Sequence, residues 1–527
     1  MTTLHDWADD GPEPFDPSPR AFAGQCARWL AASLTAIGLL WLLGFEAVLY
    51  HAAPLHARPD PILGDLRVLP SVAWLAAAAA LVIRRTALHP PRPLSFWGAF
   101  AFFDVTVVMI LLWIWDPPPL PLLAYHALVV AVVAVGLGAW LNASAVIGLP
   151  GREPDASTAR PLLLGILVFA FVLAGSMGML RGGAEGLEAL AAKPPLSFTD
   201  DLDKVGSPHA LFRDFNAMHG TLSPQAQVHP PGALWLVWAT GLLTANSPLG
   251  IVLLLALLAA TGVIPLYGWV ARMASHRAAL IAAMLYAVMP GVTLFATGSV
   301  DAAFAPITLT ALYTFARALP GGRWLWAIAA GALFAVATLL HFALLTLAFW
   351  FLFVGVLHFT RENALIETLR AWVGLALGFA VVHALIFATT GFDYAEALRL
   401  AWASIPGHAA DAPRAAWYWW PPLTTLALAF YAGIPVCLLS LRAVGSLPAP
   451  TRALARCGVL VFFCLALTFL GIGEGERAAY YAYPFLLLPA ALMLDEAARR
   501  QQSLALPATA MALCAVQAWI MQSYFEV

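Results

Sequence analysis

Long apolar runs, separated by short polar stretches, recur along nearly the whole chain. A membrane-spanning helix needs about 20 consecutive apolar residues, and these runs reach or approach that length. The pattern therefore predicts roughly fifteen spanning helices in an all-α polytopic membrane protein. The predicted spans are 27–50, 69–83, 96–116, 122–147, 162–181, 250–271, 278–298, 302–318, 325–341, 343–359, 370–390, 422–442, 456–472, 478–494 and 504–523.

The composition favours a membrane protein over a soluble one. Of the 527 residues, 61% are hydrophobic and only 11% are charged, whereas soluble chains carry about 25% charged residues. The net charge of −2 and the lack of a basic tract argue against a nucleic-acid partner. The five cysteines form no pair motif, and no His/Cys/Asp set has zinc-ligand spacing. We therefore expect no disulfide framework, no metal and no cofactor.

The arginines predict the orientation of the chain, because cytoplasmic loops retain Lys and Arg. With the N-terminus inside, the polar interval 182–249 falls outside. If the short apolar run 232–247 lies in the outer interface instead of spanning, all later arginine clusters fall inside. These inner arginines are Arg272, Arg277, Arg317, Arg323, Arg361, Arg370, Arg442, Arg452, Arg456, Arg499 and Arg500.

The same topology brings several polar segments to the outer face. They hold most of the charges that have no topological role, which predicts a functional site at this face. The segments are 182–249, Ser299–Asp301, the turn at His341, 391–421 and 471–477.

The interval 182–249 contains two motifs. An acidic pair, Asp200 and Asp201, is followed by a Pro-Pro helix start at His229, Pro230 and Pro231. This order resembles the GT-C superfamily of membrane glycosyltransferases, which use polyprenyl-phosphate-linked sugars and include protein O-mannosyltransferases and lipid A aminoarabinose transferases. In that superfamily the acidic loop follows the first span, whereas here it follows the fifth predicted span.

Two further segments carry the resemblance. Asp301 follows an apolar helix, like a second outer-loop aspartate of those enzymes. Glu474, Glu476 and Arg477 precede an aromatic, proline-containing span. The resemblance implies a GT-C-like helical bundle with short interfacial helices in its large outer loop. Residues 1–25 are acidic and proline-rich, which predicts a disordered cytoplasmic tail. The resemblance divides the rest into an N-terminal four-helix membrane extension (26–161) and a catalytic core (162–527).

The resemblance also implies roles for these residues. Asp200 or Asp201 would be the base that takes a proton from the acceptor hydroxyl, and neighbouring Asp203 stays a third choice. Arg477 would bind the donor phosphate, since its planar fork suits phosphate oxygens. The remaining candidates for binding phosphate or sugar are His341, Asp301, Glu474 and Glu476.

Each candidate also has a structural interpretation. Arg477 can simply pair with Glu474, His341 can be a hydrogen-bonded structural histidine, and Asp301 can cap the helix that follows it. Lys204 and Arg213 are expected to be solvated partners of nearby aspartates. Arg213 and Asp214 are adjacent in sequence, so we expect their side chains not to share a helix face. The aromatics in 391–421 are typical of an interfacial belt.

The predicted function is transfer of a hexose or pentose from a polyprenyl-phosphate donor to a lipid, glycan or protein hydroxyl, with inversion, at the outer face. A bacterial inner (plasma) membrane is the expected location. A transporter or flippase of lipid-linked sugars is the alternative. Inverted repeats and helices broken at mid-membrane would favour it, and neither is evident in the sequence. A noncatalytic assembly subunit is the third interpretation.

Overall fold

The computed structural model describes eight parts of the chain, and within them the chain is helical and has no β-strand. The predicted all-α class is thus confirmed for these parts. The predicted tail 1–25 and the first three predicted spans lie outside the described residues. The described residues are 120–147, 154, 156–180, 182–192, 194–408, 420–468, 480–501 and 504–524.

Each of the twelve predicted spans from 122–147 onward coincides with one helix or with two consecutive helices. In the described residues, six helices are long and apolar enough to cross a membrane, and four shorter apolar helices accompany them. The first ten α-helices are α1 (Leu120–Ile147), α2 (Ala156–Gly178), α3 (Gly183–Ala189), α4 (Pro208–Met218), α5 (Pro224–Gln227), α6 (Pro231–Leu243), α7 (Pro248–Thr261), α8 (Val263–Met273), α9 (His276–Val288) and α10 (Pro290–Phe295).

The second half of the chain continues in the same way, with short 3₁₀ turns joining some helices. The loop expected at 391–421 is in fact largely helical up to residue 408. The remaining helices are α11 (Ala305–Ala318), α12 (Trp324–Leu340), α13 (Ala348–Glu362), α14 (Leu365–Thr390), α15 (Tyr394–His408), α16 (Trp420–Ala432), α17 (Ile434–Ser446), α18 (Ala449–Thr468), α19 (Pro484–Gln501) and α20 (Ala505–Tyr524).

Helices α9 and α19 form the centre of the bundle. Every residue of α9 after its first is buried, and α19 packs against α9, α17 and α18. A helix that is apolar on all sides belongs in such an interior. The outer helices α1 and α14 expose apolar side chains such as Val135 and Ile366, as expected for surfaces that face lipid.

The predicted span 422–442 is broken in its middle, at Gly433 between α16 and α17. Gly433 has φ +93°, a conformation that glycine adopts without steric cost. The Gln517 side chain satisfies the backbone at the break. Its Nε2 donates to the Phe430 carbonyl (2.7 Å), and its Oε1 accepts from the Ile434 N–H (3.0 Å). Lipid offers no partner to a freed backbone group, so this amide replaces the lost helical bonds.

The short apolar helix α6 lies in the run 232–247, on which the predicted sidedness of the later loops depends. It has 13 residues, fewer than the roughly 20 that a span requires, and it packs against α4 and the 3₁₀ helix Pro194–Lys204 of the same polar interval. This agrees with an interfacial position for 232–247. The sidedness of the later loops stays a prediction.

Several described arginines of the predicted inner loops contact neighbouring segments at one end of the bundle. Arg277 donates through Nε to Asp495 (2.5 Å), joining α9 to α19. The Arg361 guanidinium donates to the carbonyls of Ala449 and Pro450 at the start of α18. The Arg317 guanidinium lies 4.1 Å above the Trp326 ring. Each of these contacts joins segments that the topology placed on the same side.

Candidate active site

The predicted acidic pair lies on the 3₁₀ helix Pro194–Lys204, and its two carboxylates have different surroundings. Asp201 is fully buried. The Lys204 ammonium donates to its Oδ1 (2.6 Å), and the Ser223 backbone N–H donates to its Oδ2 (2.9 Å). Lys204 also donates to the Thr221 carbonyl (2.6 Å). Asp201 therefore ties two parts of the polar interval together.

The other two carboxylates of this segment lie on a different face of the 3₁₀ helix. A 3₁₀ helix places residues i and i+3 on one face, so Phe198, Asp201 and Lys204 share one face while Asp200 and Asp203 share another. Asp200 and Asp203 are exposed. The helix thus buries one carboxylate and leaves two accessible to a ligand.

His229 is held at the start of α6. Its Nδ1 lies 2.8 Å from the Gln225 carbonyl oxygen. The Phe198 ring packs edge-to-face against the imidazole, with the ring centroids 5.3 Å apart. Pro230 is the N-cap, and Pro231 is the first residue of the helix, where its missing N–H costs nothing. The Pro-Pro motif therefore fixes the point at which the chain turns from His229 into α6.

Asp301 lies in the 3₁₀ helix Val300–Phe304, after the turn that follows α10. Ser299 is the N-cap of this helix: its hydroxyl oxygen accepts from the Asp301 N–H, and its hydroxyl donates to Asp301 Oδ2 (2.8 Å). The suggestion that Asp301 caps this helix start is wrong, because Ser299 does so. Asp301 Oδ1 points towards His229.

His341 ends α12 and caps the 3₁₀ helix Phe342–Leu347. Its Nδ1 accepts from the Ala343 backbone N–H (3.0 Å), so His341 is a hydrogen-bonded structural histidine, as one interpretation of the sequence expected. Its Nε2 lies 4.0 Å from Asp301 Oδ1, and its ring meets the His229 ring edge-to-face at 4.5 Å. The residue therefore has a structural contact on one nitrogen and faces two polar side chains with the other.

His229, Asp301 and His341, here called the HDH cluster, converge from three distant parts of the sequence. Their relative exposures are only 3%, 2% and 9%. One potential ligand atom from each lies within 4.8 Å of the other two, and His229 Nε2 is 3.4 Å from Asp301 Oδ1. Buried polar groups gathered in this way are costly unless paired, so the cluster can hold a proton or a cation.

A glycine makes this convergence possible. Gly232 lies in the first turn of α6, and a Cβ there would overlap the Leu339 carbonyl oxygen near the end of α12. The backbones of the two helices are therefore in close contact, two residues from His341 and three from His229. No larger residue can occupy this position without moving one helix.

The polar interval 182–249 also contacts the segment 389–394. His209 Nε2 lies 3.0 Å from the Thr389 carbonyl oxygen, and Asn216 Nδ2 donates to the Asp393 carbonyl (2.9 Å). Tyr394 in turn donates to the Thr338 carbonyl (3.2 Å) near the end of α12. Segments predicted to share the outer face thus share one end of the bundle.

Arg213 is a solvated partner of a nearby aspartate, as expected, but that partner is Asp214, whose side chain was expected not to share a helix face with it. Arg213 donates through Nε (2.9 Å) and Nη2 (2.7 Å) to the two carboxylate oxygens of its neighbour, because its long side chain curls back along the helix surface. The hydrogen bond to Arg213 holds the pKa of Asp214 below its usual value. Both side chains are exposed and form no part of the HDH cluster.

Three predicted site residues, Glu474, Glu476 and Arg477, lie outside the described residues, so their roles stay predictions. Sequence reasoning named His229, Asp301 and His341 separately but missed that they form one cluster. No spacing motif joins them, since His229 and Asp301 are 72 residues apart. The available signal was the topology, which placed all three at the same face.

Comparison with known proteins gives one family match and a distant structural likeness. The model of the family described as dolichyl-phosphate-mannose-protein mannosyltransferase matches residues 228–387. The Archaeoglobus fulgidus oligosaccharyltransferase complexed with Zn and sulfate is 18% identical, with a TM-score of 0.38, over 68% of this chain and 53% of that chain. The same enzyme tethered to an acceptor peptide with the NVT sequon is 16% identical, with a TM-score of 0.37, over 70% and 56%.

This chain spans just over half the length of the oligosaccharyltransferase chains. No curated protein matches it. The family match confirms the predicted resemblance to GT-C membrane glycosyltransferases, and the apolar helices agree with an integral membrane protein. All three residues of the HDH cluster lie inside the matched range, whereas Asp200, Asp201 and Arg477 lie outside it.

Proposed function

We propose that the protein transfers a sugar from a polyprenyl-phosphate donor to a hydroxyl acceptor at the outer face of a bacterial inner membrane. The observation that carries this proposal is the HDH cluster. Polar residues from three outer segments converge within the range that matches the mannosyltransferase family. Asp301 and His341 lie at the ends of α11 and α12 away from Arg317 and Arg323, and we propose that the donor presents its phosphate at that end.

Asp200 is the proposed base. A general base has to reach the proton that it takes, and Asp200 is exposed whereas the oxygens of Asp201 are engaged by Lys204 and Ser223. Asp203 lies on the same face as Asp200 and is the second choice. Asp201 then supports the reaction by holding the acidic segment against the bundle.

The leaving group is a phosphate whose negative charge grows as the sugar departs, so the site has to supply positive charge or hydrogen-bond donors. Arg477 stays the proposed phosphate ligand, with Glu474 or Glu476 orienting it. His341 is the second proposed donor when no metal ion is bound to its Nε2. The acceptor hydroxyl attacks the anomeric carbon, the bond to the phosphate oxygen breaks, and the hydroxyl proton passes to Asp200.

The experiment is donor consumption by the purified full-length protein in lipid, with a panel of radiolabelled polyprenyl-phosphate sugars and an acceptor extract. We expect one donor to be consumed and Asp200→Asn to lower the rate at least about 100-fold, as loss of a general base does. Glu188→Gln is the matched control, since Glu188 is an exposed carboxylate of the same interval; it should keep the wild-type rate. Equal rates for all three proteins would rule out Asp200 as the base. No turnover of any donor would contradict the proposed activity.

The break at Gly433 favours one second candidate, a transporter of lipid-linked sugars. Transporters build their sites from helices interrupted near mid-membrane, and the predicted span 422–442 is interrupted at Gly433. This candidate predicts that the donor crosses the bilayer of sealed vesicles unchanged, with no release of polyprenyl phosphate. The same radiolabelled donors distinguish the two functions.

A further inference from the structure

We propose that the HDH cluster is a binding site for one divalent transition-metal ion of the zinc type. The sequence predicted no metal, because the three residues have no recognisable ligand spacing. The inference rests on the way each side chain is held and on the atoms that it presents to the other two.

His229 presents a lone pair to the centre of the cluster. A carbonyl oxygen only accepts hydrogen bonds, so the 2.8 Å contact with Gln225 places the imidazole proton on Nδ1. In the neutral imidazole this is the one N–H, and Nε2 then carries a lone pair. Metal-binding histidines are oriented in the same way, with the other ring nitrogen donating to a backbone carbonyl.

A hydrogen bond also orients the carboxylate of Asp301. Its Oδ2 accepts from the Ser299 hydroxyl, which fixes the carboxylate plane and turns Oδ1 towards His229. Ligating carboxylates are commonly hydrogen-bonded through their second oxygen. Two atoms that both accept, His229 Nε2 and Asp301 Oδ1, thus face each other at 3.4 Å. A positive centre between them removes their repulsion.

The distance suits a metal ion. Two ligands about 2.0–2.1 Å from a zinc ion at the tetrahedral angle lie roughly 3.3 Å apart, close to the observed 3.4 Å. Two imidazole nitrogens and one carboxylate oxygen favour zinc or a neighbouring transition metal over calcium or magnesium, which prefer oxygen ligands. Three protein ligands leave the fourth position of a tetrahedral ion open, as in catalytic zinc sites.

His341 can act as the third ligand only if the proton on its ring moves from one nitrogen to the other. Its Nδ1 accepts from Ala343, so a neutral His341 carries its proton on Nε2, the atom 4.0 Å from Asp301. Binding a metal through Nε2 requires that Nδ1 give up this cap and take the proton. His229 and Asp301 need no such change. Replacement of His341 should therefore weaken the site less than replacement of either of the other two.

The test is direct metal analysis of the full-length protein in detergent or nanodiscs, stripped with a chelator and re-equilibrated with limiting zinc. We expect one zinc per chain by elemental analysis. Asp301→Asn and His229→Gln should lose stoichiometric binding. Cobalt in place of zinc should give the visible absorption of a tetrahedral site. His219→Gln is the matched control, since His219 is a buried histidine of the same interval whose Nε2 contacts the Gln227 carbonyl; it should retain the zinc.

Ser299→Ala provides a milder variant if the ligand substitutions prevent folding. It removes the partner of Asp301 Oδ2 and should lower zinc affinity about 10- to 100-fold. A wild-type protein without zinc would overturn the proposal and leave a shared proton between His229 and Asp301. Equal zinc content in wild type, Asp301→Asn and Ser299→Ala would also overturn it. The measurement needs no sugar donor, so its outcome is independent of the proposed transferase activity.

Discussion

At the scale of single residues, the candidate site depends on where a few side chains are held. Asp201 and Asp200 are adjacent, yet the first anchors the polar interval through Lys204 and the second reaches solvent. The three-residue repeat of a 3₁₀ helix separates them. In the HDH cluster, the side chains of His229 and His341 depend on the contact that Gly232 permits between two helix ends.

Gly232→Ala should destabilise the protein and disturb the HDH cluster. The added methyl group meets the backbone of Leu339, which cannot move as a side chain would, and overpacking of this kind costs about 1–3 kcal/mol. We would measure the thermal unfolding temperature and the zinc affinity, and we expect both to be lower than in the wild type. Gly206→Ala is the control, because a Cβ at Gly206 meets no atom within 4 Å. Equal effects of the two substitutions would contradict the proposed helix contact.

The sequence predicted the identities of the site residues better than their arrangement. His229, Asp301 and His341 were each singled out because they lie in polar turns between apolar runs. Their convergence depends on how the helices pack, and helix packing leaves no local pattern in the sequence. The same limit applies to Ser299, whose capping role was assigned to Asp301 because both residues suit helix starts.

At the scale of helices, α12 packs closely against α14. Gly331 and Gly378 lie in this interface, and a Cβ on either would overlap a carbonyl oxygen of the opposite helix. Small residues are common at helix contacts in membranes, where close backbone approach replaces the hydrophobic effect as the source of stability. The rest of α14 is largely exposed, so this contact holds it in place.

Gly378→Ala should lower the thermal unfolding temperature by separating α14 from α12. The methyl group would overlap the Ile328 carbonyl oxygen, at a cost of about 1–3 kcal/mol. Gly165→Ala in α2 is the control, since a Cβ there meets no atom within 4 Å and alanine favours helix. An unfolding temperature unchanged by Gly378→Ala would show that the two helices are not in close contact.

The positions of the helices were predictable because long apolar runs depend on the bilayer and not on packing. The interruptions were not. The break at Gly433 depends on Gln517, a residue 84 positions later that bonds the freed backbone groups. The segment after Gly391 looked like a loop because of its charges, yet it forms helix α15 with an exposed Glu396–Arg399 pair.

At the scale of the whole molecule, the two ends of the bundle differ in character. One end gathers arginines in contacts such as Arg277–Asp495. The other gathers the HDH cluster, the acidic segment and the start of α15. The predicted sidedness was not adjusted to any contact, yet it grouped the same segments. This division supports the proposal of an active site at the end away from the arginines.

The decisive measurement is sugar transfer by proteoliposomes in which the protein has one orientation. Orientation is determined with Gly220→Cys, at an exposed position of the polar interval, and a membrane-impermeant maleimide. A short-chain polyprenyl-phosphate sugar that cannot cross the bilayer is then added, with acceptor, to the external solution only. We predict donor consumption when residue 220 faces outward, and none in the opposite orientation until the vesicles are permeabilised. Consumption only when the arginine end faces outward, or in neither orientation after permeabilisation, would contradict transfer at the outer face.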